Sequence, residues 1–169
     1  MVSTAALARA VLAAARAAGL TITTAESCTG GMVAAALTAI PGASDVVDRA
    51  FVTYSNAAKT QMLGVPEAML KAHGAVSAEV AGAMAEGALR VSGAGLSVAI
   101  TGIAGPGGGS AEKPVGLLHF AAASQSGAVN RLERRYDPAL SRSAIRRAAT
   151  RDALVLLLDM ARGENRAVA

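Results

Sequence analysis

The chain has 169 residues, 16 basic and 12 acidic side chains, a net charge of +4 and a hydrophobic content of 53%. That length suits one domain with its own core, and a single cysteine and two histidines far apart exclude an internal disulfide and leave little material for a zinc site. The longest stretch suggestive of a membrane span, Ala25 to Ser44, is broken by Glu26, Gly30, Gly31 and Pro41, and the N-terminus lacks the basic, apolar, small-residue order of a signal peptide.

Taken in order, Ser3 to Ala18 is alanine-rich with Leu7, Val11 and Leu12 near one face, Ser3 as N-cap and Gly19 as stop, which predicts a helix. Leu20 to Thr24 alternates and is β-branched, the pattern of a strand. Met32 to Ala39 reads as helix up to Pro41-Gly42, Ala50 to Tyr54 as a short strand, and Asn56 to Leu63 as a helix closed by Gly64-Val65-Pro66. His73 falls in the connection that follows. Ser77 caps a helix running to Val91, and Leu96 to Thr101 is a short apolar run bounded by glycine, as a buried strand is. Val115 to Ala123 and Val129 to Tyr136 flank Gln125-Ser126-Gly127 and predict a hairpin. Ser141 opens a last helix reaching about Arg162, with residues 163–169 expected to fray. No linker or repeat divides the chain, so residues 1–169 are expected to form one domain. Strands alternating with helices predict an α/β fold with a mixed, mostly parallel sheet of about five strands.

In such sheets ligands bind on the loops beyond the carboxyl ends of the strands. Two polar, glycine-rich segments emerge there. Thr24-Ala25-Glu26-Ser27-Cys28-Thr29-Gly30-Gly31 places hydroxyls and paired glycines between a strand and a helix N-terminus, where free N–H groups attract anions; plain helix capping by Ser27 or Thr29 fits equally. No lysine follows the glycines at Walker A spacing. The second, Thr101 to Gly109, lacks the third-glycine spacing of a dinucleotide fingerprint.

A hydroxyl nucleophile needs a base. His73 and His119 fit a solvated cap and a core or edge residue better than catalysis. Lysine substitutes for histidine when burial lowers its pKa from about 10.4, as in Ser-Lys hydrolases. Lys59, about one turn into the helix after Tyr54-Ser55, is the leading candidate, although a lone lysine on an early helix normally faces solvent. Lys71, four residues after Glu67, fits a surface ion pair. Cys28 rivals Ser27 as nucleophile, because thiols need less activation, but cysteine is equally at home as buried apolar filler.

Between Arg131 and Arg151 seven arginines face two acidic residues, so one segment supplies the whole positive excess. It suits a phosphate, a nucleic acid or a solvated helix face. Tyr136 is the only aromatic there, which counts against single-strand recognition.

The segment 24–31, then Phe51-Val52-Thr53-Tyr54-Ser55-Asn56 with Lys59, His73-Gly74-Ala75-Val76-Ser77, Thr101-Gly102-Ile103-Ala104-Gly105-Pro106 and Lys113-Pro114-Val115-Gly116, resemble the C-terminal domain of CinA-type competence/damage-inducible proteins. The likeness runs from about Leu7 to Leu158, and the chain looks like the stand-alone form. It implies a three-layer α/β/α fold and nicotinamide-nucleotide amidohydrolase activity, converting nicotinamide mononucleotide and water to nicotinate mononucleotide and ammonia. It also implies Ser27 as nucleophile and Lys59 as base, with Tyr54 assisting. Backbone N–H groups from Cys28 through Thr29, Gly30 and Gly31 would hold the oxyanion. Thr101, Gly102 and Gly105 resemble the second substrate loop. Arg142 resembles an arginine that meets the phosphate, with Arg146 as its substitute, because Pro138-Ala139-Leu140-Ser141 replaces the family's usual Gly-Asp before it. A cytoplasmic protein is expected, with no cofactor, no metal and no membrane or nucleic-acid partner, forming a homo-oligomer and first of all a dimer. The alternative is a non-catalytic nucleotide-binding or regulatory module.

Overall fold

The computed structural model describes the backbone of residues 2–168 and the side chains of residues 2–163. Helix α1 (Thr4–Ala17) starts where Ser3 Oγ accepts the Ala6 N–H at 3.2 Å. Strand β1 (Ile22–Glu26), helix α2 (Met32–Thr38), strand β2 (Val47–Val52) and helix α3 (Asn56–Leu63) follow. Helices α4 (Glu67–His73) and α5 (Ala78–Ser92) lead to β3 (Leu96–Gly102), β4 (Leu117–Ser124), β5 (Val129–Arg135) and α6 (Arg142–Val168).

The sheet order is β2-β1-β3-β4-β5. It is mixed, as expected, with its pairings split evenly: β1 runs parallel to β2 and β3, whereas β3–β4 and β4–β5 are antiparallel. Side chains alternate between two cores. Ile22, Val98, Ile100, Leu118 and Phe120 pack against α1, α2 and α6 through Leu7, Val11, Val33, Ile145 and Leu157. On the other face Ala25, Ala99, Ala121 and Phe51 meet α5 through Val80, Met84 and Ala88. The architecture is therefore the three-layer α/β/α arrangement. The α5 face is rich in small residues, and Gly87 is part of that fit: a Cβ there would lie 2.2 Å from the Leu63 carbonyl oxygen.

Three differences from the sequence reading have physical reasons. Helix α4 was not expected, because Pro66 reads as the end of α3; it is the N-cap of a helix that buries no side chain and so carries no apolar period. His73 consequently ends α4 instead of lying in a connection. Helix α6 continues to Val168, past Arg162; the expected frayed end lies mostly outside the residues with described side chains. Among the described residues no helix is long and apolar enough to cross a membrane.

One buried carboxylate shapes the segment after β1. Glu26 ends that strand with no exposed surface. Its Oε2 accepts the N–H groups of Gly31 at 3.0 Å and Val33 at 3.1 Å, and its Oε1 accepts Ala34 N–H at 2.9 Å and the Thr24 hydroxyl at 3.3 Å. The N-cap of α2 is Gly31 at φ 96°, which has no side chain to satisfy those donors, so Glu26 caps the helix from below. Replacing Glu26 with Gln turns one acceptor into a donor facing buried N–H groups. Glu26→Gln should lose about 1–3 kcal/mol of stability in chemical denaturation.

Candidate active site

The parallel pairing of β1 and β2 brings distant residues together. Ser27 N–H donates to Ile100 O at 3.0 Å and Thr53 N–H to Glu26 O at 2.8 Å, so both residues extend the ladder at the carboxyl ends of adjacent strands. Ser55 then caps α3, its Oγ accepting Ala58 N–H at 3.0 Å, and Lys59 lies one turn in. Its side chain turns back beneath the sheet end instead of out to solvent. Lys59 is 1% exposed, and its Nζ reaches Ser27 Oγ at 3.1 Å and Thr53 O at 2.9 Å. Burial lowers the Lys59 pKa below the ordinary lysine value, because the charged form loses its hydration; the Cys28 sulfur acts weakly the other way.

The same burial separates the two candidate nucleophiles. The Cys28 thiol is pushed up to about 11 by desolvation, against opposing pulls from its own backbone N–H and from Arg142 and Arg146, so at neutral pH it carries no useful thiolate. Ser27 holds the contact with the amine. Ser27, Cys28, Tyr54, Lys59, Thr101 and Arg142 all line one cleft of about 270 Å³, closed on its far side by Gly102 to Gly105 and by Ala75 and Val76. A larger groove of about 500 Å³ beside β2 contains Asp48 and Arg49 but no paired nucleophile and base.

Other expected residues fall into place differently. Tyr54, expected to assist Lys59, is 63% exposed, and its hydroxyl accepts Arg142 Nη2 at 3.0 Å, with no hydrogen bond to Lys59 among the described residues. Arg142 Nη1 also donates to Gly105 O at 2.7 Å, which spans the cleft mouth with one guanidinium. Arg146, the suggested substitute, lies behind the nucleophile segment, with Nε on Cys28 O at 3.0 Å and Nη2 on Thr29 O at 2.9 Å, and does not line the cleft. Thr29, Gly30 and Gly31 do not line it either. The Gly30 N–H bonds Ser27 O at 3.1 Å and the Gly31 N–H bonds Glu26, so of the four N–H groups expected to face an oxyanion only those of Cys28 and Thr29 donate to no protein oxygen among the described residues. Thr101 Oγ1 donates to Ala75 O at 2.8 Å and fixes one wall.

The two histidines stay apart from this chemistry. His119, on β4, faces Glu133 at 4.0 Å, and burial lowers its pKa; His73 lies 3.7 Å from Glu79 on the surface. Among the described residues no cluster of three or more potential ligands could hold a metal. Sequence reasoning missed Lys113, which does not line the cleft but braces it: its Nζ donates to His73 O and to Val76 O, tying the segment after the glycine-rich loop to the segment before α5. Its place in Lys113-Pro114-Val115-Gly116 was the available signal.

A family model described as the CinA C-terminal domain matches residues 4–161. A CinA-like protein of Anaeromyxobacter sp. (strain K) is 57% identical over 132 residues, covering 78% of this chain and 32% of the relative. One of Synechococcus sp. (strain RCC307) is 52% identical over 151 residues, covering 89% and 36%. The chain thus spans about a third of the length of the curated relatives it matches. The crystal structure of the competence/damage inducible protein CihA from Agrobacterium tumefaciens superposes with a TM-score of 0.90 at 52% identity, covering 93% of this chain and 94% of that one. A CinA superfamily protein from Klebsiella pneumoniae superposes at 0.89 with 36% identity, covering 95% and 98%. The match across nearly the whole chain, in sequence and in backbone, makes this protein a member of the CinA C-terminal domain family.

Proposed function

We propose that this protein hydrolyses the carboxamide of nicotinamide mononucleotide, giving nicotinate mononucleotide and ammonia by a Ser-Lys mechanism. The observation that carries the reading is the buried 3.1 Å contact between Lys59 Nζ and Ser27 Oγ. A neutral amine has two N–H donors and one lone pair. Thr53 O takes one donor, which leaves the lone pair to receive the Ser27 proton.

Lys59 takes that proton as Ser27 Oγ bonds to the carboxamide carbon. The carbonyl oxygen becomes an oxyanion beside the N–H groups of Cys28 and Thr29, which donate to no protein oxygen and each of which, well aimed, contributes about 3–4 kcal/mol. Collapse breaks the C–N bond, the Lys59 ammonium protonates the departing nitrogen, and ammonia leaves. Water then attacks the resulting ester, Lys59 accepts its proton, and the proton returns to Ser27 Oγ as nicotinate mononucleotide is released. Arg142 supplies the positive charge at the mouth for the phosphate, with Tyr54 holding the guanidinium in place.

Ammonia release from nicotinamide mononucleotide should fall about a thousandfold or more in Ser27→Ala and in Lys59→Met, both still folded by circular dichroism. Wild-type protein that releases no more ammonia than Ser27→Ala sinks the reading. The rate should also depend on pH in one direction: Lys59 is protonated and inactive at low pH, so kcat rises as pH increases and levels off above a midpoint lower than the ordinary lysine value of 10.5. A midpoint at that ordinary value, or a rate falling with pH, contradicts a buried lysine base. Arg142→Ala should raise KM for the mononucleotide about 10- to 100-fold and change KM for the dephosphorylated riboside about twofold at most. Equal losses on both substrates remove the phosphate assignment.

A further inference from the structure

Arg146 comes from α6, 118 residues along the chain from Cys28, yet its guanidinium meets two consecutive carbonyls of the nucleophile segment. It lines no part of the cleft, so direct contact with a ligand there does not account for it. What it touches is the backbone that presents Ser27.

The consequences follow from peptide geometry. Gly105-Pro106 is the one cis bond among the described residues, so the peptides from Ser27 to Gly30 are trans, and in each the N–H points opposite to the C=O. Arg146 Nε holds the Cys28 carbonyl, which turns the Thr29 N–H away from α6. Nη2 holds the Thr29 carbonyl, which turns the Gly30 N–H away from α6 as well, and that N–H bonds Ser27 O at 3.1 Å. Fixing Ser27 O in turn sets the direction of the Cys28 N–H. Both donors that have no protein oxygen, on either side of the Cys28 side chain, therefore trace back to one guanidinium. Thr29 is fully buried and off the cleft, but its N–H belongs to the peptide that follows Cys28, which lines it, and a buried N–H without an acceptor is unfavourable unless a ligand oxygen supplies one. A cation on the two carbonyls also polarises the peptides and strengthens their N–H groups as donors.

We propose that Arg146 is a positioning residue for the oxyanion site, aiming the Cys28 and Thr29 N–H groups at the carbonyl oxygen of whatever acylates Ser27. The assignment rests on reading Ser27 as nucleophile, and not on the identity of the nucleotide. A simple alkyl fluorophosphonate separates the two: Ser27 Oγ bonds to phosphorus, fluoride leaves, Lys59 takes the hydroxyl proton, and the phosphoryl oxygen occupies the oxyanion site with no nucleotide involved.

Arg146→Ala should lower both the Ser27 labelling rate, followed by intact-protein mass, and kcat for nicotinamide mononucleotide by about a hundredfold, with KM changed about twofold at most. Added methylguanidinium should restore part of both rates, which a general loss of packing would not allow. Arg146→Lys, whose ammonium reaches one carbonyl, should give an intermediate labelling rate, and it carries the test if Arg146→Ala does not fold. Wild-type rates in either folded variant, or a loss confined to KM, overturn the assignment; the latter would make Arg146 a phosphate ligand. If wild-type protein labels at Ser27, and Arg146→Ala slows that labelling, but no ammonia is released, the nucleotide reading fails and the Arg146 role stands. Failure of wild-type protein to label Ser27 overturns both.

Discussion

A lysine amine kept almost dry at the end of a β-sheet is the constraint on which the rest of this molecule depends. Burying an ammonium without a counter-ion is expensive, and neither hydrogen-bond partner of Lys59 is an anion: one is the Ser27 hydroxyl and the other the Thr53 carbonyl. Burial therefore lowers its pKa, which makes the side chain a readier proton acceptor than a surface lysine. Register makes this possible. Parallel pairing of β1 with β2 sets Glu26 opposite Val52, so the residues just beyond both strands emerge side by side. A helix that starts three residues later, at Asn56, then has its first full turn within reach of Ser27.

The segment carrying Ser27 is held by charge from two directions. From below, Glu26 gathers N–H groups from α2; from behind, Arg146 gathers carbonyls. The two ions sort the backbone dipoles of the same short turn, an anion taking donors and a cation taking acceptors. The glycine pair permits it: Gly30 and Gly31 both have positive φ, 59° and 96°, a conformation that side chains resist. Backbone held this way does not need to reorganise when charge develops on a substrate, which is the condition for electrostatic stabilisation to act at full strength.

The helices other than α4 were legible from the chain because their cues are local, whereas β1 and β2 run Ile22–Glu26 and Val47–Val52, two to three residues from the expected Leu20–Thr24 and Ala50–Tyr54. The caps at Ser3, Ser55 and Ser77 and the glycines at helix ends are written at the positions where they act. The site was only half legible. Ser27 and Lys59 lie 32 positions apart, and no spacing rule connects them; only resemblance to a family did so. Glu26 reads in sequence as a charge interrupting an apolar run, since a carboxylate that caps donors five to eight residues downstream matches no capping-box pattern. Tyr54, two residues beyond the end of β2, is linked to Lys59 only by resemblance, and its exposed side chain bonds Arg142 instead. Arg142 and Arg146 are separated by one helical turn and are equivalent in any helical projection. What tells them apart is the loops facing them, the 101–109 segment for one and the nucleophile turn for the other.

The arginine-rich stretch follows the same logic. Read along the chain, seven guanidiniums against two carboxylates suggest a surface for a polyanion. In the fold five of the seven bond protein partners. Arg134 pairs with Asp152 at 2.8 Å, and Tyr136 donates to the same carboxylate at 2.9 Å, fastening β5 to α6. Arg135 pairs with Glu133, Arg151 donates to Val2 O, and Arg142 and Arg146 bond main-chain carbonyls. Guanidinium suits this work because its planar fork engages two acceptors at once while keeping its charge under partial burial. A chain with few aromatics has little large apolar surface with which to fasten an edge strand and a long helix onto its sheet. Arginines that pair across elements supply part of that fastening, with their aliphatic stems lying along the elements they join.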